Sequence, residues 1–179
     1  FGNNWISSNE NKNWVDVKLS ANGSSVYAVE SEKTVYVSNT TELNLQRYGD
    51  GNVNTSLALD WNNNGVIQCG ADGQIISMPS QGIAVGRVAA NETPWSSCSA
   101  SANVQKIMAT STTGLIYIST NGGDNWASRS INSGNVKRRA IVASENGTEL
   151  YSVTYGGKIE YSTDSGATWS VSNNLTQNW

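Results

Sequence analysis

The chain holds 179 residues, 37% of them hydrophobic and 14% charged, with a net charge of −3. It has no histidine, which removes a His-based catalytic triad, a histidine general base and, in practice, a zinc site of the usual ligands. Its one basic cluster, Lys137-Arg138-Arg139, is too small for a footprint on nucleic acid and reads as a solvated strand edge, and no apolar run approaches the roughly 18 residues that cross a bilayer.

The length suits one ordinary domain. Val, Ile, Thr, Tyr and Trp are common while Leu and Glu are sparse, a balance that favours strands over helices. The sequence opens on Phe1 without a signal-like segment and is expected to be a processed product or a trimmed stretch of something longer. Residues 1–13 read as an isolated outer strand, because Gly2-Asn3-Asn4-Trp5 matches Gly123-Asp124-Asn125-Trp126 and Gly166-Ala167-Thr168-Trp169 further on. Residues 14–52 then give four strands, with the first hairpin at Ala21-Asn22-Gly23-Ser24 and a decayed turn before the fourth strand. Residues 53–93 and 94–135 follow the same order. Residues 136–179 repeat it most clearly, with Glu145-Asn146-Gly147-Thr148 as the first hairpin and a Gly-Gly turn after the second strand.

Four units of about 41 residues, each of four short strands, are the sequence pattern of a repeat architecture. Ser38, Ser77, Ser119 and Ser162 mark the third strands, at spacings of 39, 42 and 43. Units of this kind bury their faces only against neighbours, and four-stranded blades around an axis are the propeller solution. The expected fold is therefore all-β, with four complete blades of antiparallel strands plus one extra N-terminal outer strand. That extra strand competes with residues 169–179 for one slot in a closed four-bladed ring. Strand addition by another molecule, or further repeats of a longer chain, would resolve the conflict.

The stretch Ser162-Thr163-Asp164-Ser165-Gly166-Ala167-Thr168-Trp169 resembles the Asp-box, or bacterial neuraminidase repeat, of sialidase-like and sortilin-like extracellular β-propellers. Ser119-x-Asn121-x-Gly123-x-x-Trp126 is a second copy. Unit one has Leu45 at the Trp position, and unit two has Pro79 at the acid position. The physical reading of the motif is a joint. The glycines supply positive φ, the Asp or Asn accepts from turn amides that the ladder leaves unpaired, and the Trp packs on a neighbouring sheet. The resemblance implies that this turn lies at the outer rim, away from the channel. One carboxylate per turn is too few to hold calcium, and no metal or cofactor is expected.

The resemblance also implies what a sialidase would need: an arginine triad, a Tyr-Glu pair, an Asp acid and an Arg-Ile-Pro motif. The motif is absent. Arg47, Arg87 and Arg129 fall on expected fourth strands, and the adjacent Arg138 and Arg139 point to opposite faces of a strand. A glycosidase needs two facing carboxylates, for which Asp16 and Asp60 on neighbouring first strands are the candidates. Lectin propellers place an aromatic face against sugar. Trp61, followed by three asparagines outside the repeat framework, is the best candidate for such a contact.

Six Asn-x-Ser/Thr sequons occur, at Asn22, Asn39, Asn54, Asn91, Asn146 and Asn174. With 23 asparagines the count carries no weight, but all six fall in expected turns or strand ends. Cys69 and Cys98 lie on inner strands of neighbouring units, and a disulfide is expected in an oxidising compartment. The reading is a secreted or cell-surface, non-catalytic module for binding or self-assembly. A carbohydrate-binding lectin is the alternative, and a glycosidase on a neutral polysaccharide the third.

Overall fold

The computed structural model describes residue 7 and residues 11–20, 22–31, 34–39, 44–50, 54–59, 65–79, 85–87, 94–131 and 136–172. They form sixteen strands and, among the described residues, no helix. Blade 1 holds β1 (Trp14–Leu19), β2 (Ser25–Glu30), β3 (Thr34–Asn39) and β4 (Gln46–Asp50). Blade 2 holds β5 (Asn54–Leu59), β6 (Gly65–Gly70), β7 (Ile75–Pro79) and β8 (Val85–Arg87). Blade 3 holds β9 (Trp95–Ala100), β10 (Ile107–Ser111), β11 (Ile116–Ser119) and β12 (Ala127–Arg129). Blade 4 holds β13 (Arg138–Ala143), β14 (Leu150–Thr154), β15 (Ile159–Ser162) and β16 (Ser170–Val171). Each blade is a four-stranded antiparallel meander in chain order. The extra N-terminal strand expected over 1–13 lies almost wholly outside the described residues.

The ladders define which residues are equivalent. Every first strand carries an irregularity at the same place, with Val15, Thr55, Ser96 and Arg139 as the extra residues. A bulge of this kind strengthens local twist where a strand nears the rim or axis of a closed sheet. Ser38 stands opposite Val26, Ser119 opposite Ile107 and Ser162 opposite Leu150. In blade 2 that position belongs to Met78, opposite Val66, and not to Ser77. This corrects the marker series. The pattern had slipped by one residue in the second unit, which exchanges the two faces of the strand. Pro79 therefore does not hold the acid position of that turn.

Period-2 alternation gives each blade two apolar faces, and three clusters join the blades in sequence. Tyr27, Val29 and Val35 of blade 1 meet Leu57, Val66 and Ile76 of blade 2. Ala58, Ile67, Cys69 and Ile75 of blade 2 meet Trp95, Cys98, Ile107 and Tyr117 of blade 3. Met108, Ile116 and Ile118 of blade 3 meet Ile141 and Leu150 of blade 4. At roughly 1.5–3 kcal/mol per buried side chain, these clusters are the main source of stability. Among the described residues no hydrophobic cluster joins blade 4 to blade 1. No described helix is long and apolar enough to cross a membrane.

Candidate functional site

The two well-formed Asx turns between third and fourth strands are built alike. Ser162 Oγ donates to Asp164 Oδ1 at 2.8 Å and accepts the Gly166 amide at 2.8 Å. Ser119 Oγ donates to Asn121 Oδ1 at 3.0 Å and accepts the Gly123 amide at 2.8 Å. The Asx side chain closes the far end of the loop: Thr168 N–H donates to Asp164 Oδ1 at 2.8 Å, and Asn125 N–H to Asn121 Oδ1 at 2.9 Å. Gly166 and Gly123 have φ of 82° and 96°. A Cβ at Gly166 would run into Ile118 Cδ1 of the preceding blade, so a side chain there would strain the backbone and require Ile118 to shift.

Each tryptophan then returns to its own loop. The Trp169 indole N–H donates to the Gly166 carbonyl at 3.1 Å, and that of Trp126 to Gly123 at 2.9 Å. Trp169 packs against the cluster between blades 3 and 4, and Trp126 against that between blades 2 and 3. The Thr168 hydroxyl and amide, then the Ser162 hydroxyl, hold the exposed Asp164 carboxyl down to about 2. Its acceptor capacity is thus spent on the turn itself. In blade 1 the series has lapsed, and Ser38 Oγ donates to the Asn39 carbonyl instead.

The first hairpins form a second repeated device. Asn22 Oδ1 accepts from Ser20 Oγ, Ser24 N and Ser24 Oγ at 2.9, 3.0 and 2.7 Å. Asn146 Oδ1 accepts from Ser144 Oγ, Thr148 N and Thr148 Oγ1 at 2.9, 3.0 and 2.6 Å. Blade 3 does the same with Ser101, Asn103 and Gln105, which the sequence reading missed. There Val104 replaces the glycine yet still takes a φ of 56°, so the Asn-Gly signal is lost while the Ser-x-Asn remains. Asn39 is exposed at the end of β3, and Asn54 opens β5. Asn91, Asn174, Trp61 and Asp60 lie outside the described residues.

The inner strands account for the remaining candidate chemistry. Asp16 Oδ2 accepts the Leu57 amide of the next blade at 2.9 Å, and its Oδ1 sits 3.7 Å from Lys18 Nζ. Ser97 occupies the equivalent place in blade 3 and accepts the Ile141 amide at 3.3 Å. Asp16 is therefore the acidic version of an inter-blade bond. Arg138, expected at a solvated edge, is instead 2% exposed and paired with Glu160, itself fully buried. Its Nε donates to Glu160 Oε2 at 3.0 Å and its Nη2 to Oε1 at 3.0 Å. Arg139, on the opposite face, is exposed over the Tyr155 ring at 5.1 Å. The physical reason is register: Arg138 and Glu160 stand where blade 3 has Trp95 and Tyr117, an edge-on aromatic pair 5.1 Å apart. Blade 1 has Trp14 and Tyr36 there, 5.6 Å apart. Cys69 of β6 and Cys98 of β9 face each other across blades 2 and 3 as a bonded pair, with Cα atoms 6.2 Å apart. Among the described residues no cluster of His, Cys, Asp or Glu is suited to a metal ion.

No protein-family model matches the chain, and no curated protein does. Solved structures do. The β-propeller domain of Cps50 (Swd1) from Myceliophteria thermophila superposes with a TM-score of 0.71 at 15% identity, covering 89% of this chain and 53% of that one. YCF48 from Cyanidioschyzon merolae gives 0.70 at 13%, covering 98% and 61%. The RRP9 WD40 repeats give 0.76 at 7%, covering 92% and 52%. These likenesses establish a β-propeller fold. The chain spans between half and three fifths of the length of the propellers it resembles.

Proposed function

We propose that the chain is a non-catalytic, extracellular β-propeller module of the Asp-box type that works by binding. The observation that carries this reading is the commitment of its best-placed carboxylates to structure. Asp16 accepts a neighbouring blade's amide, Asp164 closes its own turn, and Glu160 neutralises Arg138. Each would have to give up a structural bond to act as acid, base or nucleophile. The Ser-x-Asx-x-Gly-x-x-Trp turns support the Asp-box assignment through their chemistry rather than through likeness to any neighbour. Two features favour the extracellular setting. The Cys69–Cys98 pairing suits an oxidising compartment. In the sequon hairpins the Asn22 and Asn146 oxygens hold the turn, so a glycan on the side-chain nitrogen would leave those bonds intact.

The test is incubation with a panel of neutral polysaccharides, reading released reducing ends. The expected result is no release above the buffer blank. Hydrolysis that disappears in Asp16→Asn, while the variant stays folded, would overturn the reading.

A further inference from the structure

The first hairpins of blades 3 and 4 stand side by side, and a cleft of about 590 Å³ opens between them. That volume falls within the roughly 300–1,000 Å³ of small-ligand sites. Its two walls are fixed to one another. The Ala102 amide donates to the Glu145 carbonyl at 2.7 Å. Gly147 is buried against Ser101 and the Lys106 stem, where a Cβ would come within 2.9 Å of Lys106 Cδ. The Lys106 ammonium donates to Ser165 Oγ of the blade 4 joint at 2.9 Å.

One asparagine from each hairpin lines the cleft, Asn103 and Asn146, and the loops dictate how each is turned. The backbone N–H groups of Gln105 and Thr148 can be satisfied only by an oxygen, so each carboxamide gives its Oδ1 to its own hairpin, at 3.2 and 3.0 Å. The Ser101 and Ser144 hydroxyls complete the hold, each at 2.9 Å. Both NH2 groups are left without a hydrogen bond to any described residue. Glu145 and Glu149 line the same cleft, exposed and without an ionic partner among the described residues. Two carboxylates against one ammonium set the cleft against acidic ligands. No aromatic ring lines it, so a flat ligand gains no stacking there.

From this we infer that the cleft between blades 3 and 4 binds a neutral oligosaccharide. Each sugar hydroxyl both accepts and donates, which matches fixed NH2 donors set beside free carboxylate acceptors. Donors held in place before the ligand arrives need little further ordering. This rests on the binding-module reading and names its ligand class.

Nitrogen-detected NMR of the side-chain NH2 groups tests this, on chain made without N-glycans so that Asn146 is bare. The probes are cellohexaose, laminarihexaose, mannohexaose and chitohexaose, with hexagalacturonate as the acidic comparison. At least one neutral probe should shift the Asn103 and Asn146 NH2 signals. Asn22, locked the same way on the blade 1 hairpin, should stay still, and hexagalacturonate should shift none of them. Asn103→Asp and Asn146→Asp keep an oxygen for each hairpin and remove the NH2 donors, so each should weaken binding about tenfold, while Asn22→Asp leaves it unchanged. Circular dichroism checks the fold of each variant, and the wild-type shifts stand without them. Silence of both NH2 signals with every neutral probe, equal binding of hexagalacturonate, or full affinity in both folded cleft variants would overturn the site. Its loss leaves the non-catalytic reading standing, whereas reducing ends released from a bound probe would overturn that reading and keep the site.

Discussion

Blade 4 replaces an aromatic pair with an ion pair, and the substitution can be reversed. Arg138 and Glu160 side chains are each 1% exposed and held by contacts of 2.8–3.0 Å. Removing one partner leaves an uncompensated buried charge, which costs about 3–5 kcal/mol. Glu160→Gln should therefore lower stability by that amount, a large share of the roughly 5–15 kcal/mol that holds a domain together. At a urea slope of about 2 kcal/mol/M, the midpoint should fall by roughly 2 M. The double variant Arg138→Trp with Glu160→Tyr copies the Trp95–Tyr117 pair into an equivalent register. Replacing a buried ion pair by apolar groups of matching shape is neutral or stabilising by about 1–4 kcal/mol. Urea melts of wild type, Arg138→Trp, Glu160→Tyr and the double variant make a thermodynamic cycle. A double variant as unstable as the sum of its singles would refute the equivalence of the two positions. So would a Glu160→Gln loss below about 1 kcal/mol.

Three further outcomes follow, two from the joints and one from the disulfide. Trp169→Ala removes the indole that ties its own turn to the cluster between blades 3 and 4, and should cost about 3–5 kcal/mol; a thermal melt within a degree of wild type would contradict this. Asp164 titrates low because Thr168 and Ser162 donate to its charged form, so its contribution is complete above the ordinary 3.8 and is lost as pH falls through about 2. Asp164→Asn should remove that acid limb, with the two melting curves converging near pH 2, and a pH-independent gap would count against the turn as its cause. Reducing Cys69–Cys98, which are 29 residues apart, should destabilise the protein by about 3–4 kcal/mol on the chain-entropy estimate, read as a drop in urea midpoint with dithiothreitol; an unchanged midpoint would mean the sulfurs are not bonded in solution.

Features that depend on local chemistry were legible in the sequence. A Ser-x-Asx-x-Gly-x-x-Trp turn needs each residue for a bond made within eight positions, so Ser162, Asp164, Gly166 and Trp169 announce themselves. Features that depend on cross-strand register were not. Ser77 looked like the marker of the second unit because it is a serine near the right spacing, whereas the ladder gives that place to Met78. Arg138 looked solvated because its partner, Glu160, is 22 residues away and pairs only once β13, β14 and β15 are aligned. Asp16 looked like channel chemistry for the same reason, its acceptor role being fixed by an amide 41 residues on. Asn103 escaped notice because Val104 takes the left-handed backbone that glycine normally signals.

The central claim is that the repeated turns are joints, holding the blades by bonds internal to each loop. Residue-resolved amide hydrogen exchange tests it most directly. The Gly123, Gly166, Asn125 and Thr168 amides lie in loops, yet each is held by a serine or Asx side chain. They should exchange nearly as slowly as the blade-core amides of β10 and β14. Exchange at the rate of open, solvated loops would contradict the account.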